Sequence, residues 1–366
     1  MRTILVVDDD PLARLHLERF LKREGHAVVM AFDGQQGLEK FRAQAPDLIL
    51  MDVMMPVMNG HEATRRIRAE SVGADVPVPV IFLTGVEDQQ MLAECLRCGG
   101  DDFISKPFNY VILQARLNAW LRRVELAEKI AMDREAIENI ILKMRKDARF
   151  DPYNMRFIMT PVEKTTGDLV LSARDATGTQ HVLLGDFTGH GLVAAVCGPL
   201  VSDIFHDMVL NGFSPLEILK KINKTIHDRL PVDMFLTANY IALNRQAGEM
   251  LLYNAGMHPL FLYRDGSGMP GPTSRLMPLG IVSEIPTDHA QAIMTVQPGD
   301  QIYLYSDGVY ETQSPEGHFF GGERLNRVLS GIATSGAPLE SIQRALDQFR
   351  GDDNQRDDIT LVELTV

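Results

Sequence analysis

The chain has 366 residues, of which 45% are apolar, and its formal net charge at neutral pH is −13. That length suffices for two or three domains, and the acidic balance argues against nucleic acid as a primary partner. Three cysteines exclude a disulfide framework, and aspartates interrupt the start, MRTILVVDDD, too early for a signal peptide. No run reaches the roughly 18 apolar residues of a membrane span, so we expect a cytoplasmic protein without a membrane segment.

Residues 1–108 alternate five times between strand and helix patterns, which predicts a doubly wound parallel α/β sheet. The predicted strands are 3–7, 27–31, 47–51, 79–84 and 101–105. The predicted helices are about 11–24, 34–44, 59–70 and 87–98, with another from 109 onward. Cys95 and Cys98 form a CxxC at the end of the fourth helix, where we expect ordinary thiols rather than a zinc or redox site.

Charged residues follow three of these strands. Asp8 and Asp9 end the first strand, Asp52 ends the third, and Lys106 ends the fifth. The carboxyl ends of parallel strands share one edge of the sheet, so these groups should meet there. Several carboxylates repel one another unless a divalent cation lies among them. The pattern therefore predicts a metal-assisted site that places a phosphoryl group on Asp52.

Residues 1–122 resemble the receiver domain of bacterial two-component response regulators, with its flavodoxin-like fold. The matching segments are VVDDD (6–10), ILMDVMMPVMNG (49–60), IFLTG (81–85) and FISKPF (103–108). The resemblance implies that Asp52 is the phosphoacceptor and that a sensor histidine kinase or phosphotransfer protein is its partner. It further implies that Asp8, Asp9, Asp52 and the Met54 carbonyl bind Mg²⁺. Thr84 and Lys106 would contact the phosphoryl group, and Phe103 would be the aromatic residue that changes position on activation.

A long helical pattern follows the receiver-like segment, and we assign 123–150 to a helical linker. Apolar residues recur at spacings of three and four at Leu113, Leu117, Trp120 and Val124. After a shift of phase the pattern resumes at Leu126, Ile130, Ile137, Ile140 and Met144. One interpretation is a final receiver helix followed by a separate amphipathic helix. The other is a continuous signalling helix that pairs with its twin in a homodimer, as a coiled coil does.

The sequence pattern changes in residues 151–366, which contain many short strand-like runs. Helical segments lie between them near 192–211, 215–230, 322–332 and 338–349. This pattern predicts an α+β domain in which packed antiparallel sheets carry flanking helices. GSGMPGP (266–272) is typical of a surface turn.

Single aspartates recur at strand ends in this segment, at Asp168, Asp186, Asp307 and Asp357. Oxygen ligands without histidine or cysteine pairs favour Mg²⁺ or Mn²⁺ over zinc. Two such ions bridged by one carboxylate are an arrangement that activates water for phosphoester hydrolysis.

Residues 155–366 resemble the metal-dependent PPM serine/threonine phosphatases of the SpoIIE type, which have an αββα sandwich fold. The matching segments are GDFTGHGLVAAV (185–196), NAGMHPLFLY (254–263), MPLGI (277–281), PGDQIYLYSDGVYET (298–312), FGGERL (320–325) and RDDITLVEL (356–364). The resemblance implies that two Mn²⁺ or Mg²⁺ ions are held by Asp168, Asp186, the Phe187 carbonyl, Asp307 and Asp357, with Asp186 as the bridge. Asp358 is a further candidate that would orient Asp357. His190, flanked by glycines at the start of a helix, is either a general acid or a residue that organises the backbone.

The combination predicts a response regulator whose output is dephosphorylation of phosphoserine or phosphothreonine. By family resemblance, the substrate would be a phosphorylated anti-sigma-factor antagonist of the STAS type. The alternative is a non-catalytic adaptor that binds a sigma-factor regulator under receiver control. Such adaptors lack the metal-binding aspartates, and this chain keeps all four.

Overall fold

The computed structural model describes residues 1–73, 76–85, 89–189, 191–286 and 290–366. The chain divides into two compact units, Met1–Ala136 and Ile137–Val366. The segment predicted as linker, 123–150, is helical as far as Met144 and contributes to both units.

The first unit is the predicted doubly wound parallel sheet, with strand order β2-β1-β3-β4-β5. Apolar side chains of α2, α3 and α4 pack on one face of the sheet, and those of α1 and α5 pack on the other. Since the three central strands are covered on both faces, their runs are continuously apolar rather than alternating. The elements are β1 Thr3–Val7, α1 Pro11–Arg23, β2 Ala27–Ala31, α2 Gly34–Gln44, β3 Leu48–Asp52, α3 Gly60–Glu70, β4 Val80–Thr84, α4 Gln89–Arg97, β5 Asp102–Ser105 and α5 Tyr110–Met144.

Helix α5 is one continuous helix of 35 residues, about 52 Å long at 1.5 Å per residue. The helix has no break at which a separate second helix would begin, as the first interpretation requires. Pairing of two copies, which the second interpretation adds, stays a prediction. Leu113, Leu117 and Leu121 are buried against the receiver sheet. Later apolar residues of the helix are exposed by about half or more, among them Leu126, Ile130, Ile140 and Met144.

The second unit contains two five-stranded antiparallel sheets, ordered β13-β10-β9-β8-β7 and β12-β11-β14-β15-β6. One apolar core lies between the sheets; α7 and α8 cover the outer face of the first sheet, and α10 and α11 that of the second. The predicted αββα sandwich is therefore confirmed. The elements are β6 Met155–Thr160, β7 Asp168–Arg174, β8 Gln180–Phe187, α6 Gly191–Ala195, α7 Gly198–Leu210, α8 Pro215–Arg229, β9 Leu236–Asn244, β10 Glu249–Ala255, β11 Phe261–Arg264, β12 Ser267–Pro270, β13 Gln291–Thr295, β14 Gln301–Tyr305, α9 Asp307–Glu311, α10 Gly321–Ser335, α11 Ser341–Arg350 and β15 Ile359–Thr365.

The prediction of a surface turn over 266–272 is wrong for most of this segment. Ser267–Pro270 forms the edge strand β12, paired with β11. Only Asp265 and Gly266, both with positive φ, form the turn between the two strands. A two-residue Asp-Gly loop is a favoured hairpin connection because its backbone twist matches that of the flanking strands.

One stretch meets the length and composition of a membrane span, contrary to the sequence expectation. Gly191–Leu210 qualifies by these criteria, and 56% of its apolar window is buried within the unit. Val201, Phe205 and Val209, spaced by four residues on α7, lie in the core against the first sheet. The apolar character of this stretch is therefore explained by its packing as a core helix.

Candidate active sites

The receiver carboxylates meet at the carboxyl edge of the parallel sheet. Strands β1 and β3 are neighbours, so Asp8, Asp9 and Asp52 project from the same edge. Their carboxylate oxygens lie within 4.8 Å of one another. The Lys106 ammonium, which follows β5, lies 2.7 Å from Asp8 Oδ2 and 3.0 Å from Asp52 Oδ2. The structure thus brings together the four charged residues expected from the sequence.

Burial controls the electrostatics of this cluster. Asp8 and Asp52 are buried, whereas Asp9 is exposed. Burial raises the pKa of Asp52, and the Lys106 ammonium offsets part of that rise. Burial lowers the pKa of Lys106, but its hydrogen bonds to Asp8 and Asp52 outweigh this effect and the net pKa is raised. A divalent cation among the three carboxylates would relieve their mutual repulsion.

The other predicted receiver residues surround the cluster. Thr84 is buried at the end of β4, and its carbonyl accepts a 2.6 Å hydrogen bond from the Lys106 amide. Met54 lies two residues beyond Asp52 with an exposed side chain. Phe103 is half-buried in β5, and the Arg116 guanidinium of α5 lies 5.9 Å from its ring centroid.

The loop after Asp52 ends at Gly60, where the backbone leaves no room for a side chain. A Cβ at this position would lie 2.1 Å from the carbonyl oxygen of Asp52. Such a separation is an overlap with backbone, which side-chain rotation cannot relieve. The absence of a side chain at Gly60 therefore allows α3 to begin directly against the end of β3.

The phosphatase aspartates come from both sheets of the second unit. Asp168 at the start of β7 is the direct antiparallel partner of Asp186 in β8. Asp307 is the first residue of α9, two residues beyond the end of β14, and Asp357 precedes the neighbouring strand β15. A Cβ on Gly308 would lie 2.1 Å from the Asp358 carbonyl oxygen and 3.4 Å from the Asp357 Cβ. The start of α9 therefore lies in close contact with the segment that carries Asp357.

The carboxylates of this site repel one another in the absence of a cation. The pKa of Asp186 is raised to about 10 by burial and by the charges of Asp168, Asp307 and Asp357. Burial likewise raises the pKa of Asp168 to about 8, and the charges of Asp358 and Asp307 add to the rise.

The unpaired oxygens of this cluster fit divalent cations. Both carboxylate oxygens of Asp168 and Oδ1 of Asp307 are buried without a hydrogen-bond partner. Buried carboxylate oxygens without donors are costly unless a cation binds them. Among the described residues, the receiver carboxylates form a group whose oxygens all lie within 4.8 Å of one another, and the phosphatase aspartates do not form such a group. The described residues therefore fit the predicted metal ligands.

Phe187 can contribute to the site only through its backbone, whereas Asp358 contributes through both its side chain and its backbone. The Phe187 side chain is fully buried in the apolar core, which leaves only its backbone available to a metal. The Asp358 carboxylate accepts hydrogen bonds from the Val162 and Gly167 amides at 2.8 and 2.9 Å. Its own amide donates to Asp357 Oδ1 at 2.8 Å. Asp358 thus fixes the loop before Asp168 with its side chain and orients Asp357 with its backbone. His190 lies outside the described residues.

Arg145 is a residue near this site that the sequence did not indicate. It follows the last turn of α5, and its Nη2 donates a hydrogen bond to the Asp168 carbonyl. Burial lowers the pKa of this guanidinium, and the charges of Asp168 and Asp358 oppose that effect. No motif surrounds Arg145 in the sequence, and its contact with Asp168 spans 23 residues.

Comparison with known proteins is consistent with this geometry. The family model described as Stage II sporulation protein E (SpoIIE) matches residues 176–366, and the response regulator receiver domain model matches residues 4–118. The chain belongs to the SpoIIE family. It is a multidomain response regulator in which a receiver domain precedes a SpoIIE-type phosphatase domain.

Similar sequences among characterised proteins match the receiver part of this SpoIIE-family chain. The transcriptional regulatory protein AfsQ1 of Streptomyces coelicolor is 35% identical over 166 residues, which are 43% of this chain and 71% of AfsQ1. The transcriptional regulatory protein CseB of the same organism is 43% identical over 120 residues, which are 33% of this chain and 49% of CseB.

The fold of the phosphatase part resembles a solved PP2C domain. The SiaA-PP2C domain of Pseudomonas aeruginosa superposes with a TM-score of 0.55 and 20% identity, covering 66% of this chain and 98% of that domain. At this level of identity the similarity establishes the shared fold of the SpoIIE-family domain.

Proposed function

We propose that this chain is a phosphorylation-controlled response regulator that removes phosphate from phosphoserine or phosphothreonine on a regulatory protein. The observation that carries the proposal is the buried carboxylate cluster, in which Asp168 and Asp186 have strongly raised pKa values and the oxygens of Asp168 lack donors. A protein tolerates such a cluster where a cation compensates it.

The phosphatase residues have separate roles in this proposal. Two Mn²⁺ or Mg²⁺ ions would be held by Asp168, Asp186, Asp307, Asp357 and the Phe187 carbonyl. When bound, they would supply Lewis acidity to the phosphate and an activated water. Asp186 would be one of their ligands, and a cation held there would offset the repulsion that the charges of the other three aspartates exert on it. Asp358 would hold the loop before Asp168 through its carboxylate and would orient Asp357 through its backbone amide.

The receiver would control this output through phosphorylation of Asp52 by a sensor histidine kinase or phosphotransfer protein. Asp8, Asp9 and the Met54 carbonyl would hold Mg²⁺ beside the acceptor. Lys106 already contacts Asp52 and would neutralise the incoming phosphoryl oxygens, with Thr84 as a donor. Phe103 would change its packing as the receiver switches between two states.

Helix α5 supports a route between phosphorylation and output. Its C-terminal turns lie in the second unit, where Glu138 is buried and lies 3.6 Å from Lys164 of the loop before Asp168. Arg145 contacts the Asp168 backbone directly. A shift of these turns would therefore move a predicted metal ligand. The exposed apolar residues of α5, including Ile130 and Ile140, favour pairing of two copies into a homodimer.

The proposed substrate rests on the family resemblance. SpoIIE-type relatives act on small anti-sigma-factor antagonists of the STAS type, in pathways such as stress responses in the cytoplasm. The competing function is a non-catalytic adaptor for a sigma-factor regulator. The retained aspartates and their electrostatic coupling favour the enzyme.

The test is Mn²⁺-dependent hydrolysis of an aryl phosphate and of phosphorylated antagonists by the intact chain and by Asp307→Ala. We expect the variant to lose several orders of magnitude in rate, because the site would lose a ligand. Exposed Asp233→Asn is the matched control and should retain the wild-type rate. Background rates in the wild-type chain, combined with tight binding of the antagonist, would establish the adaptor instead.

A further inference from the structure

A small cavity opens beside the predicted metal ligand Asp357. Its volume is about 120 Å³, and its lining includes Gly308, Gln313, Arg350, Asn354, Arg356 and Asp357. A single water needs about 10–15 Å³ of such space, so the cavity has room for a group the size of phosphate. Two arginines, Arg350 and Arg356, lie in this lining beside the phosphatase aspartate Asp357.

The backbone around the cavity is fixed relative to the metal ligands. Gln355 Nε2 donates to the Thr160 carbonyl at 2.7 Å and to the Asp357 carbonyl at 2.8 Å. The absence of a side chain at Gly308 allows the start of α9 to contact the same segment closely. Arg356, which lies between Gln355 and Asp357, therefore has a defined position next to the site.

The two arginines of the cavity differ in what they can bind. Arg350 Nη2 donates to Asp347 at 2.7 Å, while Nε and Nη1 are buried without a partner. It therefore provides a fixed positive charge in the wall, with its remaining donors covered. Arg356 is 65% exposed and hydrogen-bonds to the Gln313 side chain; its ion pair with Asp353 is long, at 3.9 Å. Arg356 is the cation that can turn toward a ligand.

A phosphomonoester needs such a cation at this place. Two divalent ions are balanced in charge by four aspartates, so the dianionic substrate would bring excess negative charge. Glu311 and Asp353 also line the cavity and add to that excess. Guanidinium groups match phosphate oxygens in geometry and hold them through charge-assisted hydrogen bonds.

We propose that Arg356, oriented by Gln313 and supported by the fixed charge of Arg350, binds the phosphate group of a phosphomonoester substrate. The inference rests on the proposed phosphatase function and assigns its substrate-binding cation. The positive charge of the pair stabilises the phosphate beside the metal ligands, while the bulk of the substrate stays outside this small cavity.

The test compares Arg356→Gln and Arg356→Lys with the wild-type chain in the full-length protein. Steady-state kinetics give KM for an aryl phosphate and for a phosphoserine peptide. Calorimetry gives the Kd of inorganic phosphate for the Mn²⁺-loaded chain. The Mn²⁺ concentration at half-maximal activity reports whether Asp357 still functions. Exposed Arg327 on α10 supplies the matched control, Arg327→Gln.

We expect Arg356→Gln to raise both KM and the phosphate Kd about tenfold or more, with Arg356→Lys in between. The Mn²⁺ dependence and the Arg327→Gln control should match wild type. Unchanged KM and Kd would overturn the inference. So would a parallel loss of Mn²⁺ affinity, since Arg356 would then act only through Asp357. A wild-type chain without hydrolysis would refute the proposed phosphatase, and the calorimetric comparison would still decide the role of Arg356.

Discussion

Neutralising Asp186 should stabilise the metal-free phosphatase unit while abolishing its activity. The pKa of this buried carboxyl is raised from 3.8 to about 10. The pKa of Asp186 is higher in the folded state than in the unfolded state. At a pH between these two pKa values, folding is therefore accompanied by uptake of a proton. The resulting cost is absent below about pH 4 and grows as the pH rises toward the folded value.

The size of this cost at pH 7 depends on the unfolded pKa rather than on the folded one. Asp186 is protonated in the folded unit at pH 7, so the cost corresponds to the difference between pH 7 and 3.8, or about 4 kcal/mol. At pH 5 the same reasoning leaves about 2 kcal/mol. Asparagine removes this cost but introduces amide donors that need partners, so we expect a net gain of about 1–4 kcal/mol at pH 7.

The measurement is differential scanning calorimetry of wild type and Asp186→Asn in EDTA from pH 5 to pH 8. The only tryptophan, Trp120, lies in the receiver unit, so its fluorescence would report the wrong transition. A unit of this size should gain roughly 2–4 °C in Tm per kcal/mol. Asp233→Asn, on the surface, should change neither Tm nor its pH dependence.

Added Mn²⁺ should reverse the order of stability. Ions bind the folded wild-type site and raise its Tm, whereas Asp186→Asn should gain little and lose hydrolysis. The reasoning would be refuted if, in EDTA at pH 7, Asp186→Asn melted at or below wild type and the wild-type transition did not fall from pH 5 to pH 8. That result would mean that the aspartates do not repel one another.

Two predictions concern the receiver. Asp52→Ala should leave basal phosphatase activity intact but remove its change on addition of acetyl phosphate; a preserved response would contradict the proposed control. Gly60→Ala should destabilise the receiver by about 2–4 kcal/mol and slow its phosphorylation, because its Cβ would overlap the Asp52 carbonyl. The control is Gly85→Ala, whose Cβ would meet nothing within 4 Å among the described residues. Denaturation followed by Trp120 fluorescence should give a lower free energy of unfolding for Gly60→Ala than for Gly85→Ala. Equal stability of the two variants would show that the backbone at Gly60 accommodates a Cβ at little cost.

The receiver could be predicted from sequence almost completely because its signals are local. Apolar runs bounded by polar residues fixed the strand positions, and the parallel order of the sheet brought Asp8, Asp52 and Lys106 to one edge. Even the third aspartate of the DDD run has a local explanation, since Asp10 caps α1 by accepting from the Leu12 amide at 2.9 Å.

The phosphatase site could be predicted only in part, because its supporting contacts are distant in sequence. The Asp168 and Asp307 positions followed from strand-end patterns, but the short helix α9 after Ser306 did not. Asp358 contacts Val162 across 196 residues, and Arg145 contacts Asp168 through a single carbonyl. A backbone carbonyl is present at every residue, so no residue pattern could have identified this partner.

Strand β15 has a consequence for biosynthesis. It pairs with β14 on one side and β6 on the other, and the segment just before it carries Asp357 and Asp358. It follows every other element of the second unit in chain order. During translation, β6 and β14 must therefore wait for β15 to leave the ribosome before their sheet can close. A nascent chain therefore cannot bring Asp357 beside the other three aspartates until that strand inserts.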